Sequence, residues 1–360
     1  MKLVKKVSVL INKTVNLFSK EEQILLFLAG IMLLFSIIFS FGIYSFGQYL
    51  AVILISYRIY FGWFWLSIIV VPLAFCASIY LIVFKTVFIN KYASQKKELN
   101  YYINKFVKDM RITILVIVIF LLFGILIGVV LRTVNNRLVN QQVFDFEKNL
   151  FHSLPSVWLH SSLNPLKAVL DSLSPLILQA FMSLTYITGL VVALFLIVKQ
   201  YQILVRLVVA FFLGLLVALP IWFMLPINSP NNFYIQEKSL EKNYHPNMTA
   251  VDFQKTIYEG QKKDKPTTTL PSLHVIWALI VVYYLGRYKK GLLFIAIPWF
   301  LLLFFGTFYF AQHYLIDGLL SLPLATLAII ISELFARRVL RWPQSAKNRI
   351  KLKAIQPGDS

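Results

Sequence analysis

The chain reads as long, continuous apolar runs separated by short polar stretches. Eight runs are long enough to cross a bilayer core, which needs about 20 apolar residues in a helix. They fall at 24–47, 61–88, 112–131, 174–198, 204–225, 272–286, 291–312 and 314–336. Within a run such as Ile112 to Val130 apolar residues do not alternate with polar ones. A barrel strand would alternate, and lipid leaves only closed barrels and helices as spanning structures. The pattern therefore predicts an all-α, polytopic integral membrane protein with about eight transmembrane helices. Met1 to Lys20 lacks the short apolar core and small-residue cleavage site of a signal peptide.

Composition agrees. Of 360 residues, 59% are hydrophobic and 14% charged, against about 25% charged in a soluble domain. A soluble enzyme, a disordered chain and a coiled coil are excluded. The net charge of +20 would suggest nucleic acid as a partner in a soluble protein, but its distribution gives it another meaning. With a cytoplasmic N-terminus, 24 of the 35 lysines and arginines fall on the cytoplasmic side and 11 outside. The positive-inside rule selects this orientation. Both termini are then cytoplasmic, and no nucleic-acid partner is expected. Val7 to Phe18 and the tail from Arg337 to Lys353 fit either solvated ends or basic segments lying on anionic lipid. Cys76 is the single cysteine, so no intrachain disulfide framework and no cysteine metal site form.

Three parts are expected: residues 1–111, with a basic segment, two accessory spans and a cytoplasmic loop; a six-span core at 112–336; and a basic tail at 337–360. Two long external segments interrupt the core, at 132–173 and 226–271. The first holds Phe146, Leu150, Phe151, Leu154, Trp158, Pro155 and Pro165. It reads as short interfacial helices, either a lid over a lipid groove or a passive cover. The second contains the sequon Asn247-Met248-Thr249, which matters only in a eukaryotic secretory pathway.

All five histidines, His152, His160, His245, His274 and His313, lie on the outer side in this topology. His313 and Asp317 are four apart at the start of the eighth span, a spacing that puts both on one helix face. A carboxylate beside an imidazole orients the ring and stabilises its cation. The pair alone also fits an interfacial histidine with an aspartate favouring the helix dipole. His274 opens span six in Pro271-Ser272-Leu273-His274. Spans six and seven form an up-and-down pair, so His274 and His313 return to the same depth on neighbouring helices. Two imidazoles, a carboxylate and the Ser272 hydroxyl suit phosphoryl transfer, with one ring as nucleophile and the other as acid and base. Two histidines and an aspartate could also bind zinc or iron, although no compact metal motif appears. His152, His160 and His245 read as interfacial or loop residues.

Pro271-Ser272-Leu273-His274 followed by His313-Tyr314-Leu315-Ile316-Asp317 resembles the second and third signatures of the type 2 phosphatidic acid phosphatase superfamily. The resemblance covers 112–336 and implies a six-helix phosphatase-like core. It implies His313 as the nucleophile that forms a phosphohistidine, Asp317 as its orienting acid, His274 as general acid and base, and Ser272 as a phosphate ligand. It implies no metal and no cofactor. The chain departs from the usual phosphatase pattern. Gly306 and Thr307 stand where Ser-Arg is usual, and the Lys-x6-Arg-Pro signature is absent. No arginine occurs between Arg206 and Arg287. A phosphomonoester with nearly two charges favours an arginine fork, whereas a phosphodiester needs less. With Thr307, Tyr309 and the Pro-Ser-Leu-His form, the chain is similar to the branch containing inositol phosphorylceramide synthases. That branch implies transfer of a phospho-headgroup from a lipid to an alcohol, and the charge topology puts the site at the extracytoplasmic face. Thr307, Tyr309 and Lys265 are then substrate-binding candidates, and Lys262 and Lys263 could add positive charge. The partners implied are a lipid donor and an alcohol or water acceptor. A lipid phosphate or polyprenyl diphosphate phosphatase is the nearest alternative. A lipid transporter or scramblase is the alternative of another class, though a transporter is expected to place broken helices at mid-membrane.

Overall fold

The structure is a computed structural model that describes residues 18–41, 96–133, 140–152, 154–160, 165–230 and 268–339. The expected second span (61–88), Cys76, His245, the Asn247 sequon, the terminal segments 1–17 and 340–360, and Lys262, Lys263 and Lys265 lie outside these residues. The described residues form ten α-helices and one short 3-10 turn, with no strand. They are α1 (Lys20–Phe41), α2 (Lys96–Thr133), α3 (Asn140–Phe151), α4 (Pro155–His160), α5 (Lys167–Met182), α6 (Leu184–Ile197), α7 (Tyr201–Met224), α8 (Leu273–Tyr288), α9 (Leu293–Tyr309) and α10 (Leu315–Val339). Five helices are long and apolar enough to cross a membrane, or six if the bent pair α5–α6 counts as one span. The apolar α8 is shorter, at 16 residues. The protein is an all-α polytopic membrane protein.

The helix ends follow local chemistry. Ser19 and Glu22 form a capping box at α1: the Ser19 N–H donates to Glu22 Oε2 at 2.6 Å and the Glu22 N–H to Ser19 Oγ at 3.4 Å. α7 is buried along most of its length, from Leu204 to Trp222. It is the central post against which α8 and α10 pack, while α1 lies along α2 and α9 along α5. By contrast α9 exposes Phe294, Ile295 and Leu301, the side chains expected to meet lipid tails. The position 111/112, expected as a boundary between parts, falls inside α2, which runs unbroken.

Two expected helices end differently in the structure. The run 174–198 is not one straight span: it bends by 50° between α5 and α6. Ser183 sits at the bend. Its hydroxyl donates back to the Ala180 carbonyl at 2.8 Å and accepts the Trp299 indole N–H at 2.7 Å. A side chain bonded into the helical ladder and tied to a neighbouring helix is a recognised cause of a kink. The run 291–312 stops being helical after Tyr309. There Ala311 N–H donates to the Phe308 carbonyl at 3.0 Å and Gln312 N–H to the Thr307 carbonyl at 3.0 Å. This is the Schellman arrangement, with Ala311 at φ 51° in the position that usually carries glycine.

Candidate active site

The Schellman turn delivers His313. The Thr307 carbonyl also accepts the His313 N–H at 3.0 Å, so α9's last turn fixes the histidine backbone directly. α10 begins two residues later. Asp317, in its first turn, is fully buried, and its Oδ2 accepts the Tyr314 N–H at 3.0 Å. The positive end of the helix dipole favours a carboxylate at this place.

The facing wall comes from the chain entering α8. The Thr269 N–H and hydroxyl both donate to the Ile227 carbonyl, at 2.9 and 3.2 Å, which anchors the segment beside the end of α7. The Trp222 indole N–H donates to the Pro271 carbonyl at 3.3 Å. Ser272 then caps α8, its Oγ accepting the Val275 N–H at 3.4 Å. Ser321 of α10 locks this wall to the other one. Its Oγ accepts the Ser272 N–H at 2.8 Å and donates to the Asp317 carbonyl at 2.6 Å.

His313 lies between the walls, 8% exposed. Its Nδ1 is 3.1 Å from the Thr269 carbonyl and 3.6 Å from Asp317 Oδ2. Its Nε2 is 3.2 Å from Ser272 Oγ. A carbonyl can only accept, so Nδ1 carries the proton of the neutral ring. Nε2 is left with its lone pair, and Ser272 donates its hydroxyl to it. The ring thus holds the tautomer a nucleophile needs, with a carboxylate near enough to stabilise the cation formed on attack. The His274 ring centroid lies 6.0 Å from that of His313, and it stacks on Phe181 of α5 at 5.3 Å. His274 is exposed while His313 is buried.

Of the residues singled out from sequence, His313, Asp317, His274 and Ser272 come together. Thr307 contributes its carbonyl, while its hydroxyl is turned back onto the Phe304 carbonyl at 2.6 Å. The Tyr309 ring packs on His160 at 4.4 Å and on Phe305 at 5.4 Å. Lys265 lies outside the described residues. The Thr269 carbonyl and the Ser321 bridge were not anticipated. Only Ser321 had a signal, its i+4 spacing from Asp317. Among the described residues no group of three or more His, Cys, Asp or Glu is arranged to hold a metal ion.

Gly306, where the resemblance leads one to expect serine, lies at a close approach of two helices. A Cβ there would lie 3.1 Å from Phe181 Cβ, 3.2 Å from Ile177 Cγ2 and 3.4 Å from the Ile177 carbonyl oxygen. The backbone of α9 approaches α5 too closely for a larger residue to enter without displacement. Comparison with curated proteins and with solved structures returns no match. Residues 171–331, which run from α5 into α10 and include Ser272, His274, His313 and Asp317, match the family model described as the PAP2 superfamily.

Proposed function

We propose that the protein is a membrane-embedded lipid phosphotransferase working through a phosphohistidine at Nε2 of His313. The superfamily match supports a phosphatase or phosphotransferase. The observation that carries the finer reading is the fixed tautomer of His313, whose unprotonated Nε2 faces the Ser272 hydroxyl. In the first step Nε2 attacks phosphorus; a P–N bond forms and the P–O bond to the leaving group breaks. Protonated His274 gives its proton to the departing oxygen. In the second step His274 takes a proton from an acceptor hydroxyl, whose oxygen attacks phosphorus. The P–N bond breaks and its electron pair returns to Nε2. Asp317 stabilises the charge on His313 between the steps. The N-terminus of α8 favours the phosphate oxygens.

A phosphodiester donor with an alcohol acceptor suits this site better than a phosphomonoester. No arginine lies between Arg206 and Arg287, and Arg287 sits in the last turn of α8, at the end opposite Ser272. Lys265, three residues before Thr268, is the proposed source of compensating charge. The charge distribution supports cytoplasmic termini and an extracytoplasmic site. Purified protein is to be incubated with labelled glycerophospholipid, lipid phosphate or polyprenyl diphosphate, with and without alcohol acceptors. Headgroup appearing on the acceptor, lost in His313→Ala, supports transfer. Free phosphate as the main product would make the enzyme a phosphatase, and full activity in His313→Ala would remove the nucleophile assignment.

A further inference from the structure

The turn that carries His313 hangs between two helix ends, the C-terminus of α9 and the N-terminus of α10. Helix ends leave backbone groups without intrahelical partners. One such group on each side is taken up by the same external segment. Glu147 of α3, 2% exposed, accepts the Ile316 N–H at 3.2 Å in the first turn of α10. His160, closing α4, lies with Nε2 2.9 Å from the carbonyl of Tyr309, the last residue of α9. That carbonyl accepts only, so Nε2 of His160 carries the proton. Apolar contacts complete the seat. Phe144 and Leu154 pack with Ile227, Leu270 and Tyr314, and Leu159 packs with Ile177, Tyr309 and Phe310.

We propose that Glu147 and His160 are positioning residues for His313, holding from outside the two helix ends that fix where its Nε2 points. The inference rests on His313 being the nucleophile, as proposed above. Both residues precede the 171–331 match, and neither bonds to His313 itself. A passive cover would be built of apolar side chains, because burying an ionisable group is costly unless it makes a needed bond. Here burial pushes the Glu147 carboxyl up to about 7, with Asp317 adding to the rise, and pushes His160 below the usual imidazole range. Each group instead does what its helix end requires: an acceptor meets free N–H groups and a donor meets a free carbonyl.

The test uses the purified full-length chain. Glu147→Met keeps side-chain length without the acceptor, and His160→Phe keeps the ring against Tyr309 without the donor. Each is expected to lower kcat tenfold or more with KM within twofold, while Glu147→Gln and His160→Gln restore most of kcat. A substrate-free measurement runs beside it: the rate at which diethyl pyrocarbonate modifies His313, read by peptide mass with His245 as internal reference. That rate is expected to change at least threefold in the Met and Phe variants and to stay near wild type in the Gln variants. Wild-type rates in both the Met and Phe variants would overturn the proposal, as would Gln variants no better than them. If the wild type turns over no phospholipid, the functional reading fails while the reactivity measurement still decides the positioning role. Should one of the two variants not fold, the other decides alone, since each helix end is expected to matter by itself.

Discussion

Nδ1 of His313 lies 3.1 Å from the Thr269 carbonyl, closer than the 3.6 Å that separates it from Asp317. The backbone, not the aspartate, therefore sets the tautomer. In a triad whose acid holds the tautomer, changing the acid to its amide costs roughly 10⁴-fold, largely because the wrong nitrogen becomes protonated. Asp317→Asn should cost less here. The amide oxygen can still accept the Tyr314 N–H, and Thr269 still holds the Nδ1 proton, so only the charge is lost. A fall in kcat/KM of about 10²-fold, near 3 kcal/mol in the barrier, is expected, with the thermal midpoint little changed. A 10⁴-fold loss would assign the tautomer to Asp317 after all.

Ser321 joins the two walls of the site by one hydroxyl that accepts from Ser272 and donates to the Asp317 carbonyl. Ser321→Ala leaves the buried Ser272 N–H without its acceptor, and stranding a buried donor costs about 1–3 kcal/mol. A lower thermal unfolding midpoint is expected together with a loss of kcat, since Ser272 also bonds to His313. Ser321→Thr keeps the hydroxyl and should recover much of both. Equal losses in the Ala and Thr variants would point to packing and not to the bridge.

Glu147 sets a pH dependence whose sign is fixed by burial. Its folded pKa, about 7, lies above the ordinary carboxylate value of 4.5. Between these values the folded protein binds a proton that the unfolded chain releases. Stability is therefore greatest at the acid side of this window and falls as pH rises through it, by about 3 kcal/mol from this group. Glu147→Gln removes the titration. The variant should match the wild type near pH 5 and exceed it near pH 8 in thermal midpoint. A wild-type midpoint that rises from pH 5 to pH 8, with the same rise in the variant, would contradict this.

Most of the spans within the described residues, and the meeting of His313, Asp317 and His274, could be read from sequence because they rest on side-chain type and spacing. Length and hydropathy marked α7, α9 and α10 within a few residues. Other features carry no such mark. Any residue offers a carbonyl, so nothing in the identity of Thr269 points to its role. The end of α9 was missed because Ala311, not glycine, occupies the left-handed position after the helix. The bend at Ser183 depends on Trp299, more than a hundred residues away. Glu147 and His160 look like surface residues in a polar external segment until the segment is seen seated on the helix ends. The absence of arginine between Arg206 and Arg287 is plain in the sequence, whereas the close approach of α5 at Gly306 is not.

That approach yields a final test. If Gly306 and Thr307 were simply degenerate phosphatase positions, Gly306→Ser with Thr307→Arg would move the site towards phosphomonoester hydrolysis. The packing argues otherwise. A Cβ at Gly306 meets Phe181 and Ile177 at 3.1 and 3.2 Å, tighter than ordinary contact, and overpacking of this kind costs about 1–3 kcal/mol. Thr307 is fully buried with its hydroxyl bonded to α9 itself, so an arginine there has to displace its neighbours or bury an unpaired charge. Gly306→Ser alone should lower the thermal midpoint by a few degrees. The double variant should be still less stable and release no more phosphate from lipid phosphomonoester than the wild type. A stable double variant with increased phosphate release would show that the site accepts an arginine clamp, and would move the assignment back towards a phosphatase.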